Sequence, residues 1–330
     1  MKLSALVTFY NQAQYVDEAM NSLVSQKTDF DFEILVGDDG STDDTVARLE
    51  SWRARYPDLI QIHVMDREPG RKYNSIRRAS ANRLNLIKRA KGEYFTLLDG
   101  DDYYTDPEKF QLQAEILDRP ENQDCIGCAH DVMAHLEEDD RIVPYNNNRL
   151  AGGKIDAWQY WAKSKYFHVN TIMFRNIFKD GLPEDCPLWY FNDNTLTLYM
   201  LKFGTLYYLP RVMGHYRLNQ NSIWVPLDKT TKLLTMLIKC DTLRRVNPAF
   251  KNATLKRYFW VVKESYKRRN ELADEKYDSF RAQAAEEEAS EALRWLNHGK
   301  SPLSQRLGNH LNYFKSRLIK SVMQIPGVRL

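Results

Sequence analysis

Short apolar runs alternate with amphipathic segments through the first hundred residues, the pattern of buried strands joined by helices in a mostly parallel α/β sheet. Leu3 to Phe9 is the first predicted strand. It leads into a helix whose Val16, Met20, Leu23 and Val24 share one face. Phe32 to Gly37 is the second strand, and a helix from about Asp44 to Tyr56 stops before Pro57. Ile60 to Met65 is the third strand; a long basic helix then runs from about Asn74 to Ala90 and is ended by Gly92. Glu93 to Leu98, the fourth strand, delivers the chain into Asp99-Gly100-Asp101-Asp102.

Beyond Pro107 the pattern predicts a helix to about Leu117, strands at Ile126 to Leu136 and Val169 to Phe174, and a helix from Asp193 to Lys202. Strands at Thr205 to Tyr208 and Val212 to Arg217 close this part. From Leu227 the sequence is rich in Lys, Arg, Glu and Ala and reads as helix throughout, which places a boundary between 1–226 and a helical 227–330.

Composition narrows the class without changing this picture. With 330 residues, 43% hydrophobic and 28% charged, the chain is an ordinary globular protein rather than a disordered or fibrous one. The net charge of +3 is unevenly spread: residues 292–330 carry seven basic and no acidic residues, so the first 291 carry 40 basic against 44 acidic, or −4. That body lacks the basic stripe of a nucleic-acid binder. In the tail, Leu303, Leu307, Leu311, Phe314, Leu318, Val322 and Ile325 form an apolar stripe beside Arg306, Lys315, Arg317 and Lys320. The stripe fits an anionic membrane surface, packing on preceding helices, or a second subunit; the all-basic charge favours the membrane.

Four cysteines suit a reducing compartment. Cys125 and Cys128 have a zinc-like spacing without the second pair a structural site needs, so buried thiols are expected. The first apolar run passes into Asn11-Gln12 with no small-residue cleavage site, and no apolar run approaches the ~18 residues of a membrane span. Both features predict a cytoplasmic protein, with the tail at the inner face of the membrane.

In a parallel sheet, ligands sit beyond the carboxyl ends of the strands. Those ends are polar here: Thr8-Phe9-Tyr10-Asn11, Asp38-Asp39-Gly40-Ser41-Thr42-Asp43, and Asp99-Gly100-Asp101-Asp102. Carboxylates gathered at one edge repel unless a cation or hydrogen-bond donors offset them. A hard divalent ion, Mg²⁺ or Mn²⁺, does so and leaves positions open for phosphate oxygens. The alternative is purely structural, with Asp43 capping a helix and Asp99 to Asp102 forming a turn.

These motifs, with Phe32-Glu33-Ile34-Leu35-Val36-Gly37 before Asp38 and Lys91-Gly92-Glu93-Tyr94-Phe95-Thr96-Leu97-Leu98 before Asp99, resemble those of the family 2 glycosyltransferases, nucleotide-sugar-dependent enzymes of the GT-A fold. The resemblance spans about residues 1 to 225, and neither a G-x-G-x-x-G fingerprint nor a P-loop competes with it. It implies a nucleotide-binding half at 1–103 and an acceptor half at 104–226. It further implies that Asp38 or Asp39 accepts a hydrogen bond from the base imide, with Thr8, Tyr10 and Asn11 lining the same pocket, and places Asp99 and Gly100 near the ribose. Asp101 is the implied metal ligand. Arg71, Arg77, Arg78 and Arg83 are candidates for phosphate, although their spacing suggests that most are solvent-facing helix charges.

The family's acceptor-side Glu-Asp pair is altered here to Asn192-Asp193, leaving Asp193 as the implied base; as the first residue of a helix it also reads as a cap. Glu184 and Asp185 are the next candidates. His215 and Arg217 alternate along a strand and are expected to face the diphosphate, with a satisfied buried histidine as the alternative. Trp189 is the expected acceptor platform, while Trp158, Trp161 and Trp224 read as core. The implied reaction is an inverting, metal-dependent transfer of a sugar from a nucleoside diphosphate sugar to a hydroxyl of a saccharide or lipid-linked saccharide in cell-surface polymer synthesis. Two rivals stand beside it. One is a non-catalytic nucleotide-sugar or glycan-binding subunit, favoured by the missing Glu. The other is a nucleotidyltransferase, disfavoured by the absence of a glycine-rich basic loop after the first strand.

Overall fold

In the computed structural model the strands alternate with helices as the hydrophobic pattern requires, and the description covers residues 1–219 except 69, 72, 74, 146–151, 163–166 and 187–192, together with 232, 235 and 236. The order is β1 (Leu3–Phe9), α1 (Val16–Val24), β2 (Phe32–Asp38), α2 (Thr45–Arg55), β3 (Ile60–Val64), α3 (Ser75–Ile87), β4 (Tyr94–Asp99), β5 (Tyr103–Tyr104), α4 (Lys109–Asp118), β6 (Cys125–Leu136), β7 (Arg141–Pro144), β8 (Gly153–Ile155), α5 (Ala157–Ala162), β9 (Ile172–Arg175), α6 (Asp193–Met200) and β10 (Thr205–Leu218). The chain divides into two compact units, one of residues 1–160 and 165–226, the other of 161–164 and 227–330. Almost all of the second unit, including the basic amphipathic tail, lies outside the described residues. No helix among the described residues is long and apolar enough to cross a membrane.

One sheet runs in the order β3-β2-β1-β4-β9-β6-β10-β5. Its β3-β2-β1-β4 half is parallel throughout, as expected of strands joined by helical crossovers. The remainder is mixed: β9 is antiparallel to both β4 and β6, β10 is parallel to β6, and β5, β7 and β8 add antiparallel edges. The core strands β1 and β4 are buried on both faces, which is why they read as mainly apolar runs rather than as strict alternations.

Two expectations are corrected by backbone chemistry. The strands read at Thr205 to Tyr208 and Val212 to Arg217 are one strand, β10, whose register against β6 shifts between Leu209 and Val212. Pro210 lies inside that shift and has no N–H for the ladder, so a bulge absorbs it and the strand continues. The strand read from Val169 begins only at Ile172, because Val169–Thr171 form a 3₁₀ turn. That turn holds His168 and Asn170 beside the acidic end of β4.

Candidate functional site

Register builds the site. Thr8 of β1 is paired with Gly37 of β2 on one side and with Asp99 of β4 on the other, and Phe9 is paired with Asp38. Adjacent strands lie ~4.8 Å apart, so the three polar strand ends are forced into one row. Two backbone bonds extend the row: Asp39 N–H donates to Phe9 C=O at 3.0 Å, and Gly100 N–H donates to Thr8 C=O at 2.9 Å. Gly100 has to be glycine, since a Cβ there would stand 2.2 Å from the Phe9 ring.

The turn after β1 is sewn to the turn after β2. Asn11, with φ at 49°, accepts at Oδ1 from Thr42 N–H at 2.8 Å, and its own N–H donates to Ser41 Oγ at 2.9 Å. Asp43 accepts from Thr45 N–H at 3.0 Å and from Ala13 N–H at 3.2 Å; although burial raises its pKa, these bonds win and hold the carboxyl below the ordinary range. Asn11 and Asp43 therefore shape the loops.

The two aspartates of the β2 turn have different surroundings. Asp38 is fully buried and accepts from Ser41 N–H at 2.7 Å and Ser41 Oγ–H at 2.5 Å, which closes the turn that Gly40 completes at φ 74°. Burial pushes its carboxyl upward against these bonds. Asp39 stands between two guanidinium groups, with Arg67 Nη2 at 2.5 Å from Oδ2 and Arg78 Nε at 2.6 Å from Oδ1. Arg67 also donates through Nε to the Asp39 carbonyl at 2.5 Å and lies 3.9 Å over the Tyr10 ring.

The acidic turn after β4 is held from two sides. Arg83 of α3 donates to Asp99 Oδ1 at 2.6 Å. Arg217 of β10 donates its main-chain N–H to Asp102 Oδ1 at 2.7 Å and its Nε–H to the Asp101 carbonyl at 2.9 Å, while its Nη2 pairs with Glu18. Asn219 Nδ2 donates to Asp101 Oδ2 at 3.0 Å, and Asn170 Nδ2 donates to Asp102 Oδ2. Burial and the neighbouring Asp99 charge push the Asp101 carboxyl up to about 6 despite the Asn219 bond. Burial, reinforced by Asp101 and Asp99, pushes Asp102 well above the ordinary carboxylate range.

Burial outweighs the nearby Arg217 charge at both carboxyls, so further positive charge at this turn would be stabilising. Asp99, Asp102 and His168 bring ligand atoms within 4.8 Å of one another, a donor set of carboxylate oxygens and an imidazole nitrogen that suits Mn²⁺ or Mg²⁺. The side-chain oxygens of Asn170 and Asn219, on the amides that bind Asp102 and Asp101, are buried without a partner among the described residues. Such oxygens also suit a hard cation. Asp101, the ligand implied by the sequence, lies outside this group and is engaged by Asn219. His168 carried no sequence signal, because no motif surrounds it.

The remaining expected residues fall as follows. His215 Nδ1 lies 2.8 Å from Tyr103 Oη, and Tyr103 Oη lies 3.1 Å from His135 Nδ1. Burial lowers the His215 pKa, and the nearby His135 and Arg217 lower it further. Arg217 Nη1 reaches His135 Nδ1 at 3.3 Å, so His215 and Arg217 do share a face. Arg71 is exposed and paired with Glu68 at 2.8 Å. Arg78 and Arg83 are corrections to the solvent-facing reading, with side chains only 17% and 10% exposed. Arg78 lies near the start of α3 and Arg83 near its middle, and the long side chains reach two different strand ends. Glu184 is exposed; Asp185 accepts from Tyr199 Oη at 2.8 Å and pairs with Lys202. Asp193 opens α6, while its side chain and Trp158, Trp161, Trp189 and Trp224 lie outside what is described. Cys125 and Cys128 are buried in β6 with raised thiol pKa values, Cys128 to about 12, and join no metal-type cluster among the described residues.

A mixed sheet whose parallel half gathers Thr8, Asp38 and Asp99 at its carboxyl edge is the GT-A type of α/β fold. The family model for glycosyl transferase family 2 matches residues 4–182, more than half of the chain, and the protein belongs to that family. An uncharacterized protein of Mycobacterium tuberculosis is 29% identical over 226 residues, covering 67% of this chain and 60% of the relative. The chain thus spans about three fifths of the length of such relatives. An uncharacterized glycosyltransferase of Rickettsia typhi is 30% identical over 259 residues, covering 73% of this chain and 76% of the relative. Among solved structures, S. aureus TarS residues 1–349 in complex with UDP superposes with a TM-score of 0.59 at 18% identity, covering 91% of this chain and 87% of that one. The mannosyltransferase PcManGT of Pyrobaculum calidifontis, in complex with GDP-Man and Mn²⁺, does so at 0.51 and 17%, covering 98% and 84%. Both likenesses establish the fold.

Proposed function

We propose that the protein transfers a sugar from a nucleoside diphosphate sugar to an acceptor hydroxyl of a saccharide or lipid-linked saccharide in the synthesis of a cell-surface polymer. The observation that carries this reading is the row of Thr8, Asp38-Asp39 and Asp99 to Asp102 along the carboxyl edge of the parallel strands, in a chain of this family. A stretch of 106 residues that is 36% identical to a poly(ribitol-phosphate) beta-glucosyltransferase of Bacillus spizizenii supports a place in cell-surface polymer synthesis.

Asp39 and Tyr10 take the base, because Asp38 closes its own turn on Ser41 whereas Asp39 is bound by Arg67, the residue that lies over the exposed Tyr10 ring. Thr8, Asp99 and Gly100 line the ribose. Asp99, Asp102 and His168 hold a divalent cation, Mg²⁺ or Mn²⁺, which when bound supplies positive charge to the diphosphate. Arg217 keeps the acidic turn in place through its main-chain N–H on Asp102 and its side-chain donors on Asp101, Glu18 and His135, and its two remaining Nη hydrogens are left for the diphosphate. Asp193, at the first residue of α6, removes the proton from the acceptor hydroxyl as that oxygen attacks the anomeric carbon and the bond to the diphosphate breaks, inverting the configuration. Asn192 in place of the family's Glu favours a second reading, a binding subunit without turnover.

Incubation of the purified protein with UDP-, GDP- and dTDP-sugars and Mn²⁺, with release of nucleoside diphosphate as the readout, separates the two. Donor hydrolysis or transfer is the expected result. Tight binding of a donor with no release under any condition overturns the catalytic reading.

A further inference from the structure

We propose that the protein carries a second anion site, apart from the acidic edge: a cleft between the end of α3 and the edge strand β3 that binds a phosphate monoester through Lys88, Arg89, Lys91 and Lys179. The cleft holds about 600 Å³, within the range of small-molecule sites, and sets these four basic side chains against one carboxylate, Asp180. The cations come from two loops. Lys88, Arg89 and Lys91 follow α3, where the negative end of the helix dipole favours the first two. The dipole does not account for Lys179, which arrives from the turn after β9. Both loops are fixed. Gly181 N–H donates to the Phe178 carbonyl at 3.0 Å, so Lys179 and Asp180 form the corner of a closed turn. Lys91 N–H donates to Glu33 Oε1 at 3.0 Å, and Gly92 N–H to Ser4 Oγ at 2.9 Å. Asn176, 5% exposed, clasps the two loops together: its Nδ2 donates to the carbonyls of Ala90 and Gly92 at 3.0 and 2.9 Å, and its Oδ1 accepts from Phe178 N–H at 3.1 Å.

The charge of the cleft is not neutralised within the fold. Among the described residues, the ammonium groups of Lys88, Lys91 and Lys179 have no hydrogen-bond acceptor and no ion-pair partner. Glu33 is buried and committed to Ser4, Gln61 and the Lys91 main chain. Arg89 is held to its own helix by Nη1 on the Asn85 carbonyl at 3.0 Å, which leaves its other N–H groups for a ligand. Like charges gathered in this way repel, and an anion relieves them. A phosphate monoester brings nearly twice the charge of a carboxylate and three acceptor oxygens for charge-assisted bonds. His63 of β3 lines the same cleft, and its Nε2 is buried with no hydrogen-bond partner among the described residues. Burial and the Arg89 charge lower its pKa, so an anion beside Arg89 would favour the imidazolium. Lys91 stands before β4 and Asp99 at its end, so six strand residues, ~20 Å at ~3.3 Å each, separate the cleft from the acidic turn.

The test has two arms on the full chain, both with EDTA to keep metal from the acidic turn. One is calorimetric titration with glycerol 3-phosphate; the other is co-sedimentation with phosphatidylcholine vesicles that contain or lack phosphatidic acid. Saturable binding in at least one arm is expected, and the arm names the source, a free phosphate monoester or a lipid headgroup. Lys91→Gln and Lys179→Gln, one from each loop, should each weaken that binding at least ~tenfold, the loss of one charge-assisted contact. Both should leave UDP affinity, measured separately with Mn²⁺, within about twofold, which reports an intact fold and a distant site. Where glycerol 3-phosphate binds, the His63 ring, identified by loss of its NMR signal in His63→Gln, should titrate at higher pH with the ligand than without it. Binding of neither probe overturns the proposal, as does binding that survives both lysine substitutions. An unchanged His63 titration places the phosphate elsewhere, and a parallel loss of UDP affinity makes the cleft part of the nucleotide site; either result overturns the second site.

Discussion

Arg217 and Asp102 lie 115 residues apart in sequence, and the main-chain N–H of the first donates to the carboxylate of the second at 2.7 Å. The contact ties the last strand of the sheet to the acidic turn that follows β4, and the Arg217 side chain doubles it through the Asp101 carbonyl. The position of the acidic turn is thus set by β10 as well as by its own strand.

Arg217→Met keeps the main-chain bond and removes the rest, leaving the Asp101 carbonyl and Glu18 without their donor. A loss of stability of about 1–3 kcal/mol is expected from the unpaired groups, at the lower end because Glu18 is half exposed. Affinity for Mn²⁺ and for UDP should fall together, at least tenfold each. Thermal unfolding and calorimetric titration on the same sample check both, and a stability loss with undiminished affinity would make Arg217 purely structural.

His168→Ala removes one of the three groups that converge within 4.8 Å. Mn²⁺ affinity, read by electron paramagnetic resonance of the free ion, should drop at least tenfold, as should that of Asp102→Asn. Asp101→Asn should lower it less. Equal losses at Asp101 and Asp102, with none at His168, would return the ligand role to Asp101.

Asp193→Asn should slow transfer by roughly 10²- to 10⁴-fold while sparing donor binding, because a general base contributes in the transition state and not to the nucleotide site. Glu184→Gln, at an exposed position, should leave the rate within about twofold. Steady-state kinetics with separate determination of UDP affinity distinguishes a base from a helix cap, whose loss would cost stability and little turnover.

Lys109 is fully buried, donating to Gln113 Oε1 at 2.7 Å and Thr96 Oγ1 at 3.3 Å, and burial pushes its pKa down from 10.5 to about 7. The unfolded chain therefore binds one more proton than the folded chain between about pH 7 and 10, and stability rises with pH across that window by ~1.4 kcal/mol per unit from this group. Urea midpoints from pH 6 to 9.5 should climb for the native chain. They should be flatter and higher at neutral pH for Lys109→Met, which keeps the stem and removes the charge. A native profile that falls over this range would show Lys109 charged in the fold.

Much of the first hundred residues was legible because the signals there are local. The buried strands β1, β2 and β4 are mainly apolar runs, α2 stops before Pro57, and the Asp-Asp-Gly-Ser and Asp-Gly-Asp-Asp turns follow strands directly, so chain neighbours alone fix where polar groups emerge. The second half was less legible. Val169 reads as strand yet starts a 3₁₀ turn, and two apparent strands fuse across Pro210, since in both places the pairing partner and not the segment decides the conformation.

The sequence by itself determined the order of strands and helices and the three acidic or polar strand ends, because hydrophobic period and turn chemistry act within a few residues. Only the tertiary structure decided what those ends do. Asp38 and Asp39 are adjacent and chemically identical, yet the register buries one on Ser41 and leaves the other between Arg67 and Arg78. Asp102 gains His168 and Arg217 as neighbours from 66 and 115 residues away, pairings set by which strands adjoin in the sheet. A side chain's electrostatic environment is the sum over everything within a few Å of it, and folding draws those neighbours from the whole chain.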